Sequence, residues 1–518
     1  MVINYSKLKR IVFLYLSLPV LVFLAFYLRP VIAIPCFLVF LFALFASLKN
    51  NPEENVKEIR ISLKLMCFLF FIVLLWTFLG GLNGHWFQSS DWDCRNAIFR
   101  DLITHPWPVV YEKSNSALSY YFGHWLPVAA ISKVIYWIFG EIIAWEFGQN
   151  LLWIWTTVGL FLILLLLLLY CNVRNKKQIS IVAMVFVFFS GMDIVGAIIT
   201  NKISYLLSLP IMHLEWWCRS YQFSSITTCV FWVFNQSIIP WLVVMCFLFE
   251  NSFRNYLFLA ISCLACGPFP FVGLAILMIS KMISKLVFAI KKNLLKDFFM
   301  EVFSLSNIIC LVFIFPIYFF FYASNNAFSG TFKKAVISSE LLSAQESSKH
   351  SITNFYDWLY EHIFKFSIFF ILEVGCYFLL LFKEHKKDLI YYVSLISLIL
   401  IPHFRVGLSI DFCMRASIPM IFIVMVFCCD FLVKKSDTLF FKTKNKLDVK
   451  TLILIFVLFL GAFTPITEIN RGVFNAIHER KIPSAYDPIY SFDGDSASFN
   501  FSASDYQKSF FFKYIADK

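Results

Sequence analysis

Long apolar runs alternate along this chain with short basic stretches and longer mixed ones, and several runs reach 18 residues or more. A run of that length crosses roughly 30 Å of hydrocarbon as a helix. About thirteen spans fit: 11–29, 30–48, 64–83, 147–171, 179–200, 237–250, 255–266, 268–285, 303–322, 363–383, 389–402, 416–433 and 451–468. The predicted fold class is an all-α polytopic membrane protein. Basic blocks separate many of these spans: Lys7 to Arg10, Lys49 to Lys64, Arg174 to Lys177, Arg254, Lys281 to Lys296, Lys383 to Lys387 and Lys434 to Lys450. Roughly 25 of the 44 Lys and Arg lie in them, which marks them as cytoplasmic and puts the N-terminus inside and the C-terminus outside.

Two stretches need a decision. "SYYFGHWLPVAAISKVIYWIFG" (119–140) resembles a short span, but counting it would put "NVRNKKQ" outside. It is read instead as a helix lying along the outer membrane surface, its Trp and Tyr at headgroup depth. In "CLACGPFPFVG" (263–273), Gly267, Pro268 and Pro270 break an apolar stretch into two spans joined by a tight exterior turn. The chain then divides into an N-terminal helical hairpin (1–63), a transmembrane core (64–433), a last cytoplasmic loop and final span (434–468), and an exterior tail (469–518). The core's exterior loops are 84–146, 201–236, 323–362 and 403–415. The tail is too short for a domain of its own and is expected to pack over the exterior cavity.

Composition agrees with this class: 60% of residues are hydrophobic and 15% charged. The net charge of +12 follows the topology and does not indicate nucleic acid. The opening "MVINYSKLKR" leads into an apolar run with no small-residue cleavage site, so an uncleaved first span is expected. Most of the 14 cysteines sit in apolar runs as small hydrophobes; Cys94, Cys218 and Cys413 fall in exterior loops where a disulfide is an option. No cluster has metal-ligand spacing, and neither a metal nor a cofactor is expected.

The exterior loops carry more chemistry than connections need. "QSSDWDCRNAIFRDLITHPWPVVY" holds Asp91, Asp93, Arg95 and Asn96, then His105 and Trp107, just beyond a span. Such density suits a carboxylate acting as general base at the membrane surface, beside aromatic faces for a sugar or headgroup; a solvated, salt-bridged loop is the plain alternative. "HLEWWCRSYQFSS" supplies Glu215, Arg219 and Gln222, and Asn235 and Gln236 follow. Glu215 and Arg219, four apart, can pair on one helix face. "PHFRVGLSIDFCMRASIP" offers His403, Arg405, Asp411 and Arg415 as the best phosphate site, since a guanidinium fork matches phosphate oxygens. Asp193 in "FFSGMDIVGAI" is an intramembrane acid expected to meet Arg95 or Arg219, and Glu373 is a second. The sequons at Asn235 and Asn500 are set aside.

The order of "DW..RNAIFRDLITHPWPVVY", "YYFGHWLP", "FSGMDIVG", "FNQSIIPWL", "GPFPFVGL" and "DFCMRASIP" resembles the GT-C glycosyltransferases, over most of residues 64–433. Two features depart from that pattern: Trp92 separates the two acids, and two extra helices precede the loop. The resemblance implies a bacterial inner-membrane enzyme whose active site faces the periplasm. It would move a sugar from a polyprenyl-phosphate carrier, such as undecaprenyl phosphate, to a surface glycan such as O-antigen or to a glycolipid. Its base would be Asp91 or Asp93, Asp91 being preferred because it opens the "DW" motif, with Arg415, Arg405, His403 and Arg95 at the donor phosphate. Asn96, Trp107, Tyr120, His124, Asp193, Glu215, Arg219, Gln222, Asn235, Gln236 and Asp411 are candidate sugar and acceptor contacts. An O-antigen polymerase or ligase using diphosphate-linked donors, and a transporter or flippase, are the competing readings.

Overall fold

The computed structural model describes residues 2–49, 57–89, 91–204, 212–327, 360–404, 406, 411–440, 448–478 and 500–517. The chain is mostly helical, and every predicted apolar stretch contains a helix. Seven helices are long and apolar enough to cross a membrane, or eight if Lys176–Phe188 and Asp193–Ile199, bent by 41°, form one span. The other predicted spans coincide with the shorter apolar helices Leu63–Leu79, Phe234–Phe249, Phe253–Cys266 and Leu389–His403, and with the 23-residue helix Ile418–Phe440. This is a polytopic membrane protein.

Local chemistry sets the helix ends. The side chains of Asn4, Ser62 and Asn175 accept hydrogen bonds from the backbone N–H three residues on, satisfying donors that a helix start leaves free. Gly267 ends Tyr256–Cys266 and Pro268 opens Pro268–Lys292 with no intervening loop, so the Gly-Pro break is a tight turn. Gly140, at φ +84°, reverses Leu126–Phe139 into Glu141–Tyr170. A side chain there would be strained.

Close approaches between helices bring the loops together. A Cβ on Gly123 would lie 2.3 Å from the Ala265 carbonyl, and one on Gly273 only 2.2 Å from the Ala416 carbonyl. These glycines seat the "YYFGHW" turn and the Asp411–Ala416 turn against the two helices flanking the Gly-Pro break. Two small sheets complete the structure: Val2–Asn4 pairs with Glu58–Arg60, and Ser116–Leu118 lies between Val110–Tyr111 and Ser502–Ser504. The described end of the tail is therefore a strand added to the first large loop. No cysteine among the described residues forms a disulfide, and Cys218 and Cys413 are buried thiols, so the optional exterior disulfide does not form.

Candidate functional site

The segment following the third predicted span is the helix Asp91–Thr104. Asp91 and Asp93 occupy its first turn, where the helix dipole favours negative charge. Trp92 anchors this end: it is buried, its Nε1 donates to the Phe231 carbonyl at 3.1 Å, and its ring stacks on Phe234 at 5.2 Å. Arg95, one turn on, is also buried and folds back, donating from Nη2 to Asp91 Oδ2 at 3.0 Å with its guanidinium 5.9 Å from the Trp92 ring. Its buried Nη1 has no hydrogen-bond partner among the described residues. Asn96 donates to Gln88 at 2.8 Å and accepts from Gln149 at 3.3 Å. The Asp91 side chain is half exposed, while Asp93 is exposed on another face.

Arg415 reaches the same place from the other side of the sequence. Its Nη2 lies 3.2 Å from Asp411 Oδ2, its Nη1 donates to the Tyr121 hydroxyl, and its buried Nε has no partner among the described residues. Tyr121 lies 3.7 Å from Tyr120 between ring centroids, and Tyr120 meets Phe501 of the tail at 4.7 Å. Burial opposes the Arg415 charge, but Asp411, the two tyrosines and Asp91 together hold it firmly protonated. Burial raises the Tyr120 and Tyr121 hydroxyls, and the charges of Arg415 and Arg95 both act against that rise. One locus thus collects Asp91, Arg95, Tyr120, Tyr121, Asp411 and Arg415, with two buried guanidinium nitrogens that no described residue satisfies. Buried donors of this kind are rarely left unpaired, and a phosphate or carboxylate is their natural complement.

A second cluster behaves differently. Glu215 accepts from Ser224 Oγ at 2.7 Å, Gln222 Nε2 at 2.9 Å and the Ser225 N–H at 2.9 Å, and lies 3.4 Å from His213 Nε2. His213 Nδ1 is 2.5 Å from Glu468, which also accepts from Trp232 at 2.8 Å. Burial works against a charged His213, yet Glu468 and Glu215 push it up to about 10. Burial likewise raises Glu215, but the His213 charge and the hydrogen bonds outweigh it and hold the carboxyl below its usual range. The Glu215–Arg219 pair that the spacing allows does not form. Glu215 sits in a short 3₁₀ turn filled by these nearer donors, and Arg219 is exposed beside Lys202.

Asp193 also departs from expectation. Instead of Arg95 or Arg219, it accepts from Ser190 at 3.1 Å, Thr464 at 2.7 Å and Trp217 Nε1 at 3.0 Å. The same indole reaches Glu373 at 3.1 Å, so the two intramembrane acids share one N–H. Neutral donors close at hand suit a buried acid better than a long side chain brought from the surface.

The remaining candidates scatter. Trp107 donates to the Leu102 carbonyl at 2.8 Å beyond the last turn of Asp91–Thr104, at the far end from Asp91. His124 is buried against Thr156 and Phe234, and burial pushes it down to about 3, so it is neutral. Asn235 and Gln236 follow Phe234, the ring under Trp92; both Asn235 amide atoms and Gln236 Oε1 are buried without partners among the described residues. His403 is exposed and packs on Phe366 at 4.5 Å, outside the Arg415 contacts above. Arg405 and most of 323–362 lie outside the described residues. No group of three or more His, Cys, Asp or Glu among the described residues is arranged to hold a metal. Sequence reasoning missed Tyr121, His213 and Glu468; only Tyr121 had a signal, as the second member of the "YY" pair. Comparison with family models, with curated proteins and with solved structures gives no match.

Proposed function

We propose that the chain is an inverting membrane glycosyltransferase that takes a sugar from a polyprenyl-phosphate carrier at the outer face of a bacterial inner membrane. One observation carries this reading. Segments far apart in sequence, 91–95, 120–121 and 411–415, bring to one place a half-exposed carboxylate and two guanidinium groups, each with a buried nitrogen that has no partner among the described residues. The donor phosphate would sit on Arg415 and Arg95, with Tyr120 and Tyr121 beside it.

The acceptor hydroxyl attacks the anomeric carbon as Asp91 takes its proton. The bond from that carbon to the phosphate oxygen breaks, and polyprenyl phosphate leaves with the electron pair. A positioned base contributes about 10²–10⁴-fold. The arginines meet charge as it grows on the leaving oxygen. A single displacement inverts the anomeric centre. The same topology has about thirteen spans, with the exterior loops in the periplasm. Leu126–Phe139, at 14 residues only about 21 Å long, then lies along the outer surface with Ile131, Val134 and Trp137 towards lipid.

The test is a panel of polyprenyl-phosphate sugars offered to the full chain in nanodiscs together with host surface polysaccharide. At least one donor should release its carrier lipid, and Asp91→Asn should stop it. Inertness towards every such donor, with turnover of a diphosphate-linked one, would move the assignment to a polymerase or ligase. A transporter has one specific observation in its favour, the bent span carrying Asp193 against Glu373. Proton-dependent uptake into proteoliposomes, lost in Asp193→Asn, would favour that reading over transfer.

A further inference from the structure

The first large loop and the end of the chain enclose a cleft of about 850 Å³ that the chemistry above does not use. Residues of 105–113 form one wall and residues of 506–517 the other. The walls are tied together at several points. Ser502–Ser504 pairs with Ser116–Leu118, Asn115 donates to Asp505 at 3.0 Å, and Arg29 donates to the carbonyls of Ala516 at 2.9 Å and Lys513 at 2.5 Å. A cavity of this size falls within the usual range for ligand sites, about 300–1,000 Å³.

We infer that this cleft binds a stretch of the acceptor glycan, several sugars away from the hydroxyl that reacts. The inference rests on the glycosyltransferase reading. Trp107 and Tyr506 supply aromatic surface, which suits the C–H faces of sugar rings, while Gln507 and Lys513 offer donors to hydroxyls. Glu112 and Asp517 balance Lys113 and Lys513. Mixed signs suit a hydroxylated, largely neutral ligand better than a lipid phosphate, which a single-sign basic patch would attract. Trp107 is held in place by its bond to the Leu102 carbonyl and by the Lys133 ammonium, 5.2 Å from its ring.

Position gives the inference its content. The cleft opens at the C-terminal end of Asp91–Thr104, whose 14 residues separate it from Asp91 by about 20 Å. A glycan occupying both places spans several residues, so the acceptor class is a polysaccharide or long oligosaccharide rather than a single sugar on a lipid.

The test measures binding without any donor. Full chain in nanodiscs is passed over immobilised ladders of bacterial repeat-unit oligosaccharides, from disaccharide to octasaccharide. Retention on one ladder should rise with length. It should fall about tenfold in Tyr506→Ala/Lys513→Ala, the loss expected of a well-packed aromatic anchor. Lys513→Ala alone keeps the carbonyl that Arg29 holds, so a smaller loss in that variant reports on the cleft with the tail still docked. Equal retention of the unaltered chain and the double variant on every ladder, or retention independent of length, overturns the inference. Because no donor is present, failure here is distinct from failure of the donor panel, which would strike the transferase reading itself.

Discussion

The surroundings of Glu215 and those of Arg95 and Arg415 are both buried, polar and assembled from distant segments, yet only one is complete. Around Glu215, hydroxyl, amide, backbone N–H and imidazole groups all converge on the carboxylate, and Glu468 closes the far side of His213. Around the arginines, each guanidinium meets a single carboxylate, and Arg95 Nη1 and Arg415 Nε have no partner among the described residues. A completed buried network contributes stability and a unique arrangement. An incomplete one costs free energy that a ligand can return. On the proposed reading, the first region has a structural role and the second holds the donor phosphate.

The comparison breaks most readily at Asp91. Asp91→Asn should lower transfer by about 10²–10⁴-fold, read as carrier-lipid release, with a melting temperature only slightly lowered because the Asp91 end of its pair with Arg95 is half exposed. His213→Ala should do the reverse: two carboxylates lose their shared cation, and removing one partner of a buried ion pair costs about 3–5 kcal/mol. A large drop in melting temperature in detergent, with activity per folded molecule retained, checks it. Arg415→Ala should raise the donor KM by about ten- to a hundredfold, the worth of a charged hydrogen bond at about 1.5–3 kcal/mol, and leave acceptor dependence unchanged.

Stability against pH sharpens the contrast further. His213 is raised in the folded chain from 6.5 to about 10, so its contribution is full below pH 6.5 and is lost as pH rises towards 10. Glu215 is lowered from 4.5, so its contribution is present above pH 4.5 and is lost as pH falls through the depressed value. Melting temperature should therefore hold a plateau between these limits and decline on the alkaline side, and His213→Gln should remove that decline. The smallest effect is expected from Asp93→Asn: an exposed group off the helix face that Asp91 shares with Arg95 should change transfer by no more than about twofold.

Much of this fold was legible because helices in lipid announce themselves through uninterrupted apolar runs, and all the predicted stretches hold helices. The Gly-Pro turn and the Asp411–Arg415 spacing were equally local signals. Partnerships between distant segments were not. Glu468 stands 255 residues from His213, and Thr464 stands 271 from Asp193, separations at which no periodicity operates. Asp193 was sent to the wrong partners because charge alone suggested an arginine, whereas two hydroxyls and an indole were nearer. Asp91 was already preferred over Asp93 because it opens the "DW" motif; the helix adds that Asp91 lies on the face with Arg95 and within the field of Arg415.

The most direct test of the shared locus is photocrosslinking with a polyprenyl-phosphate sugar whose reactive group sits beside the phosphate, mapped by mass spectrometry on the full chain in nanodiscs. Adducts are expected in 91–96, 120–125 and 411–416 together, all reduced by Arg415→Ala. Adducts confined to the segments around Asp193 and Glu373, or unchanged by Arg415→Ala, would contradict a donor phosphate held between Arg95 and Arg415.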